Sequence, residues 1–240
     1  MIKEALILAG GFGTRLGDLA KDTPKPMIEI NGRPFLEYVL NFLILQRIES
    51  VVLSVGYKNE KIEGYFGNNY KGLDIKYVIE KKPLGTGGAI VKSMKSVEED
   101  VFFTLNGDTF FNISFSSLED FHRSKNSKIT LALKEIKNTE RYGFVSIDEN
   151  GRINGFVEKT KNEKGFVNSG IYIIDKHFLS SLTFPEQFSF EKDFIEKNYG
   201  FYKFYGMHFN DYFIDIGISE DLDKARKDFI SLFSSASRSR

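Results

Sequence analysis

Residues 5–16 read Ala5-Leu6-Ile7-Leu8-Ala9-Gly10-Gly11-Phe12-Gly13-Thr14-Arg15-Leu16, and Pro24-Lys25-Pro26-Met27 comes shortly after. Ala5 to Leu8 is a short unbroken apolar run that stops at glycines. That pattern reads as a strand buried on both faces and feeding a glycine loop. Glycines there let backbone N–H groups approach an anion with no Cβ in the way. In a parallel sheet, ligands gather at the carboxyl ends of the strands. The spacing is neither Gly-x-Gly-x-x-Gly nor a P-loop, since no Gly-Lys-Ser/Thr follows, so a plain NAD-binding dehydrogenase is disfavoured. Read from the residues alone, the segment is an anion site at the edge of an α/β sheet.

Working outward, the chain repeats the theme. Pro34 opens an amphipathic helix through Phe35, Leu36, Val39, Leu40 and Leu43, with Pro at its first position. Val51 to Val55 reads as a second buried strand, and Asn59 as the cap of a short helix through Ile62 and Phe66. Leu73 to Ile79 reads as a third strand. Gly85-Thr86-Gly87-Gly88 then leads into the helical pattern of Ala89, Ile90 and Met94. Val101 to Leu105 reads as a fourth strand, running into Asn106-Gly107-Asp108. Alternating strands and helices imply a parallel sheet covered on both faces. The second half is richer in strands, at 129–136, 144–147, 153–157 and 166–174, with Asn150-Gly151 as a hairpin turn. Helices return at 190–197 and from Ser219, read as an N-cap ahead of Glu220 and Asp221. The tail from Ser234 to Arg240 is expected to fray.

Composition bounds the function. The 240 residues suit one α/β domain, and 41% hydrophobic content fills a sizeable core. The 24 phenylalanines read as core filling. Lys plus Arg and Asp plus Glu balance at 33 each, which argues against a general nucleic-acid binder. With no cysteine, disulfides, thiolate metal sites and Cys nucleophiles are excluded. No apolar run spans a bilayer, and the N-terminus lacks the pattern of a secretory leader, so a cytoplasmic location is expected. His122, His177 and His208 are scattered and lack metal-ligand spacing.

The two-part motif around Gly10 to Arg15 and Pro24 to Met27 resembles the N-terminal signature of the sugar-1-phosphate nucleotidylyltransferases. The likeness continues through Glu80-Lys81-Lys82-Pro83-Leu84-Gly85-Thr86-Gly87-Gly88-Ala89, Asn106-Gly107-Asp108, Tyr142-Gly143, Glu158-Lys159, Asn168-Ser169-Gly170 and Ile214-Asp215-Ile216-Gly217. It covers the chain from Lys3 to about Phe229. It implies a single Rossmann-like (GT-A-like) α/β domain over 1–233, with a mainly parallel mixed central sheet flanked by helices and a small β-rich sugar-binding portion. About 1–125 would form the nucleotide-binding half and about 126–233 the sugar-phosphate half. Among subfamilies the chain is most similar to the D-glycero-D-manno-heptose 1-phosphate guanylyltransferases. Its length leaves no room for the C-terminal β-helix that many relatives carry, and it shows no hexapeptide-like repeat.

The resemblance also implies roles. Arg15, Lys25 and Asp108 would be catalytic, with Asp108 and Asp215 holding Mg²⁺, a hard ion suited to carboxylate and phosphate oxygens. Read singly, each aspartate could equally cap a turn or a helix. Leu8, Ala9, Gly10, Gly11, Gly13, Thr14, Glu80, Pro83, Gly85, Thr86 and Gly107 would line the nucleotide site. Tyr142, Gly143, Glu158, Lys159, Asn168 and Gly170 would hold the sugar phosphate. Glu80 bears on the base: guanine offers N1–H and N2–H side by side, and one carboxylate accepts both, whereas uracil, thymine and adenine offer one donor there. The open alternative is that Glu80 faces solvent or pairs with Lys81 or Lys82. The expected ligands are GTP and a sugar 1-phosphate, with neither nucleic acid nor membrane as partner and a homodimer left open. The rivals are a mannose-1-phosphate guanylyltransferase, a UTP- or CTP-using relative, and a non-catalytic regulator that binds a sugar nucleotide.

Overall fold

A computed structural model describes residues 1–11, 22–137, 142–158 and 164–234. In chain order the strands and helices are β1 (Glu4–Leu8), β2 (Glu29–Ile30), β3 (Arg33–Pro34), α1 (Phe35–Leu45), β4 (Ser50–Val55), α2 (Asn59–Phe66), β5 (Asn69–Tyr70), β6 (Leu73–Ile79) and α3 (Gly85–Ser93). There follow β7 (Val101–Asn106), β8 (Thr109–Phe111), α4 (Phe115–Ser124), β9 (Ile129–Ile136), β10 (Gly143–Ile147), β11 (Ile153–Glu158), β12 (Gly165–Asp175) and α5 (Lys176–Ser180). The chain closes with α6 (Glu196–Asn198), β13 (Phe204–Phe209), β14 (Phe213–Asp215) and α7 (Ser219–Ser234).

β1 is the centre of the fold, as its apolar run implies. It lies parallel to β4 on one side (Leu6 opposite Val52) and to β7 on the other (Leu6 opposite Thr104). β6 extends the parallel set beyond β4. From β7 onward the sheet turns antiparallel through β12, β10 and β11, with β9 and β13 branching from β12. The result is the mixed α/β sheet expected, mainly parallel among its N-terminal strands and mostly antiparallel in its second half.

Side-chain alternation along the central strands divides the interior in two. Ala5 and Ile7, Val51 and Leu53, Phe103 and Leu105, Ile171 and Ile173 face one core, roofed by α1, α2, α4 and α7. Leu6, Val52, Phe102, Tyr172 and Ile174 face the other, roofed by α3, α5 and a π-wound turn at Phe190–Ile195. Phenylalanine fills both: Phe110 packs edge-on to Phe42 and Phe229, and Phe194 contacts Phe184 and Phe204.

Several local expectations shift by a residue or more. Pro34 stands at the N-cap of α1, one place before the helix. Lys58, in left-handed conformation, caps α2, while Asn59 is its first helical residue and reaches Glu63. Ser219 likewise begins α7 from inside. Asn150-Gly151 does form the β10–β11 turn, with Gly151 at φ +80° and the Gly151 N–H bonded to the Asp148 carbonyl. Helices α4 and α5 and the short strands β8, β13 and β14 carry no signal in the sequence reading. Among the described residues, no helix is long and apolar enough to cross a membrane.

Candidate functional site

The parallel strands β1, β4, β6 and β7 all end on the same side, so their exit loops form one rim. There Leu8, Gly10, Gly11, Glu80, Pro83, Gly85 and Thr86 line a cavity of about 300 Å³, together with Leu84, Ala89, Asn106 and Asp108. Seven of the nucleotide-site expectations therefore share one hollow. A larger hollow of about 510 Å³, around Phe184, Phe188 and Tyr202, contains none of the residues picked from sequence.

Ala9 and Gly107 sit behind the wall and not on it. The Ala9 N–H is bonded to the Ser54 carbonyl, and the Gly107 N–H to that of Leu8. Both amides are therefore spent in joining strand ends. A Cβ on Gly107 would lie 2.8 Å from the Leu8 carbonyl oxygen, so this position is glycine because two backbones meet there. Gly13, Thr14 and Arg15 lie outside the described residues, as does Lys159.

Glu80 follows the last residue of β6, anchored by its N–H to the Val55 carbonyl (2.7 Å). Its carboxylate bends into the cavity, where Oε1 accepts from the Ser54 hydroxyl at 2.9 Å. Neither Lys81 nor Lys82 holds it: Lys82 pairs with Glu186 instead. A carboxylate oxygen has two lone-pair directions, so Oε1 can still accept from a ligand. Gly10 makes the room, since a Cβ there would stand 2.9 Å from Glu80 Oε1. Ser54 went unmarked in the sequence. The signal was its hydroxyl inside an otherwise apolar strand, where a buried polar group needs a partner.

The charged part of the site lies beside Asp108. Lys25, in a buried 3₁₀ turn at Lys25–Met27, donates its ammonium to Asp108 Oδ2 and lies 3.5 Å from Asp215 Oδ1. The aspartates meet because β8 and β14 pair antiparallel, with Thr109 opposite Asp215 and the Ile216 N–H bonded to the Asp108 carbonyl. Two carboxylates and one ammonium, far apart in sequence, thus form one cluster, and its Asp108 also lines the cavity. Among the described residues no three His, Cys, Asp or Glu side chains converge into a protein-only metal cage. A pair of carboxylates, one of them lining an open cavity, is nonetheless a donor set that suits Mg²⁺ when substrate completes its shell.

The sugar-side expectations follow β10 to β12. Gly143 opens β10 opposite Glu158 of β11, and the Tyr142 ring lies edge-on to Phe213 at 5.7 Å. Asn168 is buried on β12, its amide engaged by the Tyr172 hydroxyl and the Gly170 N–H. Gly170, at φ +78°, lies against Asn106, where a Cβ would come within 2.3 Å of the amide nitrogen. Because Asn106 lines the cavity, the Asn168–Gly170 segment lies against its wall.

Comparison with known proteins agrees with this geometry. A D-glycero-alpha-D-manno-heptose 1-phosphate guanylyltransferase from Aneurinibacillus thermoaerophilus is 46% identical over 225 residues, covering 94% of this chain and 97% of the relative. A protein of the same name from Campylobacter jejuni is 46% identical over 218 residues, covering 91% and 96%. The crystal structure of HddC from Yersinia pseudotuberculosis superposes with a TM-score of 0.84 at 36% identity, over 95% of this chain and 100% of that one. The same protein has also been solved in complex with GMP-PN. The nucleotidyl transferase family profile matches residues 4–231, and the chain belongs to that family.

Proposed function

We propose that the chain condenses GTP with a sugar 1-phosphate, D-glycero-D-manno-heptose 1-phosphate in the first instance, to give a GDP-sugar and pyrophosphate. The observation that carries this reading is the cluster of Lys25, Asp108 and Asp215, joined through Asp108 to a cavity that Glu80 also lines. One end suits a triphosphate with its counter-cation, the other a base with two adjacent donors. The names of the two relatives at 46% identity support the choice of guanine and heptose.

The chemistry asks little of the protein beyond placement. A sugar-phosphate oxygen, ionised at neutral pH, attacks the α-phosphorus of GTP. The new P–O bond forms as the bond to the β-phosphate breaks, and pyrophosphate departs with the electron pair. No general base is needed. The protein must bring two anions together and stabilise the charge that builds on the leaving group. Lys25, and Arg15 outside the described residues, would supply fixed positive charge to the phosphates. Asp108 and Asp215 would hold Mg²⁺, which when bound offsets phosphate charge as a Lewis acid. Glu80, oriented by Ser54, would accept from guanine N1–H and N2–H. On the sugar side, Tyr142, Gly143, Glu158, Lys159, Asn168 and Gly170 would form the rim, so residues 1–125 carry the nucleotide and 126–233 the sugar phosphate. We assign the reaction to the cytoplasm, where GTP is made.

The test is a panel of nucleoside triphosphates and sugar 1-phosphates with Mg²⁺, scored by pyrophosphate release. GTP with the heptose phosphate should lead the panel. A preference for UTP would overturn the Glu80 assignment. Mg²⁺-independent silence with every pair, alongside tight nucleotide binding, would favour the regulatory reading.

A further inference from the structure

Glu191 looks unremarkable in sequence, inside the charged string Phe190-Glu191-Lys192-Asp193. In the fold it is 9% exposed. The π-wound turn, capped by Ser189, rotates Glu191 inward while Lys192 and Asp193 stay outside. Among the described residues no cation pairs with it. Three hydroxyls hold it instead: Tyr172 donates to Oε1 at 2.9 Å, while Thr86 and Ser189 donate to Oε2, the latter at 3.0 Å.

These donors come from opposite sides of the site. Thr86 lies in the first turn of α3, lines the nucleotide cavity, and accepts from the Phe190 N–H at 2.9 Å. Tyr172 is fully buried in β12, and its phenol oxygen also accepts from Asn168 Nδ2 at 2.6 Å. Asn168 Oδ1 accepts from the Gly170 N–H at 3.1 Å. An unbroken chain of hydrogen bonds therefore runs from the cavity wall at Thr86, through Glu191 and Tyr172, to Asn168 and Gly170.

A buried carboxylate without a cation is a costly way merely to glue helix to sheet; apolar side chains of that volume do the job at lower desolvation cost. What it adds is direction, because Oε1 holds the donor from β12 while Oε2 holds those from α3 and the π-wound turn. We propose that Glu191 is a positioning residue whose carboxylate couples the nucleotide loop to the sugar-phosphate strand, so that ordering either side orders the other. The proposal rests on the functional reading above for which ligand lies on which side. The hydrogen-bond chain itself does not.

The experiment uses Tyr172→Phe, Thr86→Val, their double variant, Glu191→Ala and Glu191→Gln in the full chain. Phe keeps the ring edge-on to Phe190, and Val keeps the volume of Thr. Steady-state kinetics give kcat and both KM values, with melting temperature as a folding control. Coupling predicts that Tyr172→Phe raises KM for GTP as well as for the sugar phosphate. Thr86→Val should raise KM for the sugar phosphate, each effect roughly fivefold to tenfold, about the net worth of one ordinary hydrogen bond felt at the far substrate. The double variant should be little worse than the worse single, because either change already breaks the chain. Glu191→Gln, which keeps an acceptor for Tyr172, should recover part of what Glu191→Ala loses. Effects confined to the nearer substrate, or singles that multiply in the double, overturn the coupling. So does a lower melting temperature with both KM values unmoved. Hydrogen exchange judges the chain without any substrate: Glu191→Ala should speed exchange at both the Phe190 and Gly170 amides, and unchanged rates at Gly170 overturn it. Absence of turnover in the wild type would instead count against the functional reading.

Discussion

Replacing Glu80 with Gln alters one atom of the cavity wall and reverses its hydrogen-bonding sense. The wild-type carboxylate already accepts from Ser54 at 2.9 Å and keeps lone pairs on both oxygens toward the cavity. Guanine N1–H and N2–H would fill them with two bonds to a charged acceptor. Glutamine keeps one acceptor and turns an N–H₂ toward the second donor, so one bond is lost and two donors face each other. Loss of one hydrogen bond to a charged group costs roughly 1.5–3 kcal/mol. At 1.4 kcal/mol per tenfold, kcat/KM for GTP should fall by about 10- to 150-fold. Uracil offers N3–H beside a carbonyl, which matches the Gln donor–acceptor pair, so kcat/KM for UTP should hold or rise. Pyrophosphate release with GTP and UTP in competition measures the ratio directly. A GTP/UTP ratio that stays put in Glu80→Gln would mean that Glu80 serves only to brace Ser54 and the loop, and the base would have to be read elsewhere.

Gly10→Ala tests the same contact from the other side. Its Cβ would meet the movable end of Glu80 at 2.9 Å, so kcat/KM for GTP should fall several-fold while the melting temperature moves by no more than about 3 °C, as a ~1 kcal/mol effect allows. Lys25→Met removes the ammonium shared by Asp108 and Asp215; kcat should fall by about 10²–10³, as for other preorganised electrostatic groups. In that variant millimolar Mg²⁺ should raise the melting temperature more than in the wild type, and equal shifts would argue against metal at these aspartates. Burial, reinforced by the charge of Arg123, holds His122 down at about 4, below the ~6.5 of free imidazole. The unfolded chain therefore takes up its proton first. Stability is whole above about pH 6.5 and drains by roughly 3 kcal/mol as pH falls to about 4. His122→Asn, which keeps a polar group facing Thr130, should flatten the melting-temperature slope across that window; an unchanged slope would place the acid sensitivity elsewhere.

What the sequence discloses depends on how local the cause is. β1, β4, β6 and β7 are announced by apolar runs that are buried wherever they go, and their parallel order follows from the helices between them. β8 and β14 are three residues each and exist because they find one another across a long stretch of intervening chain, which no local pattern encodes. Asp215 could thus read as a turn residue until that pairing set it beside Asp108. Asn59 was a fair cap by type, but Lys58 adopts the left-handed conformation at φ 53° and displaces it. Glu191 was hidden for the opposite reason: its neighbours are solvated, and only the π-wound turn takes it inward.

The position of Lys25 binds these elements into one electrostatic argument. Two carboxylates that share one ammonium repel each other, a cost that works against the β8–β14 pairing. The buried Lys25 ammonium offsets it, so one side chain from a turn near the N-terminus secures a strand pair formed by distant segments. On the proposed reading Lys25 can leave the aspartates for a phosphate only when another cation takes its place between them. A triphosphate and a divalent cation bound together would satisfy both demands at once, whereas either alone would leave a charge unpaired. On that reading Lys25 would link stability to catalysis, holding the carboxylates together in the fold and supplying positive charge to the phosphates of a bound substrate.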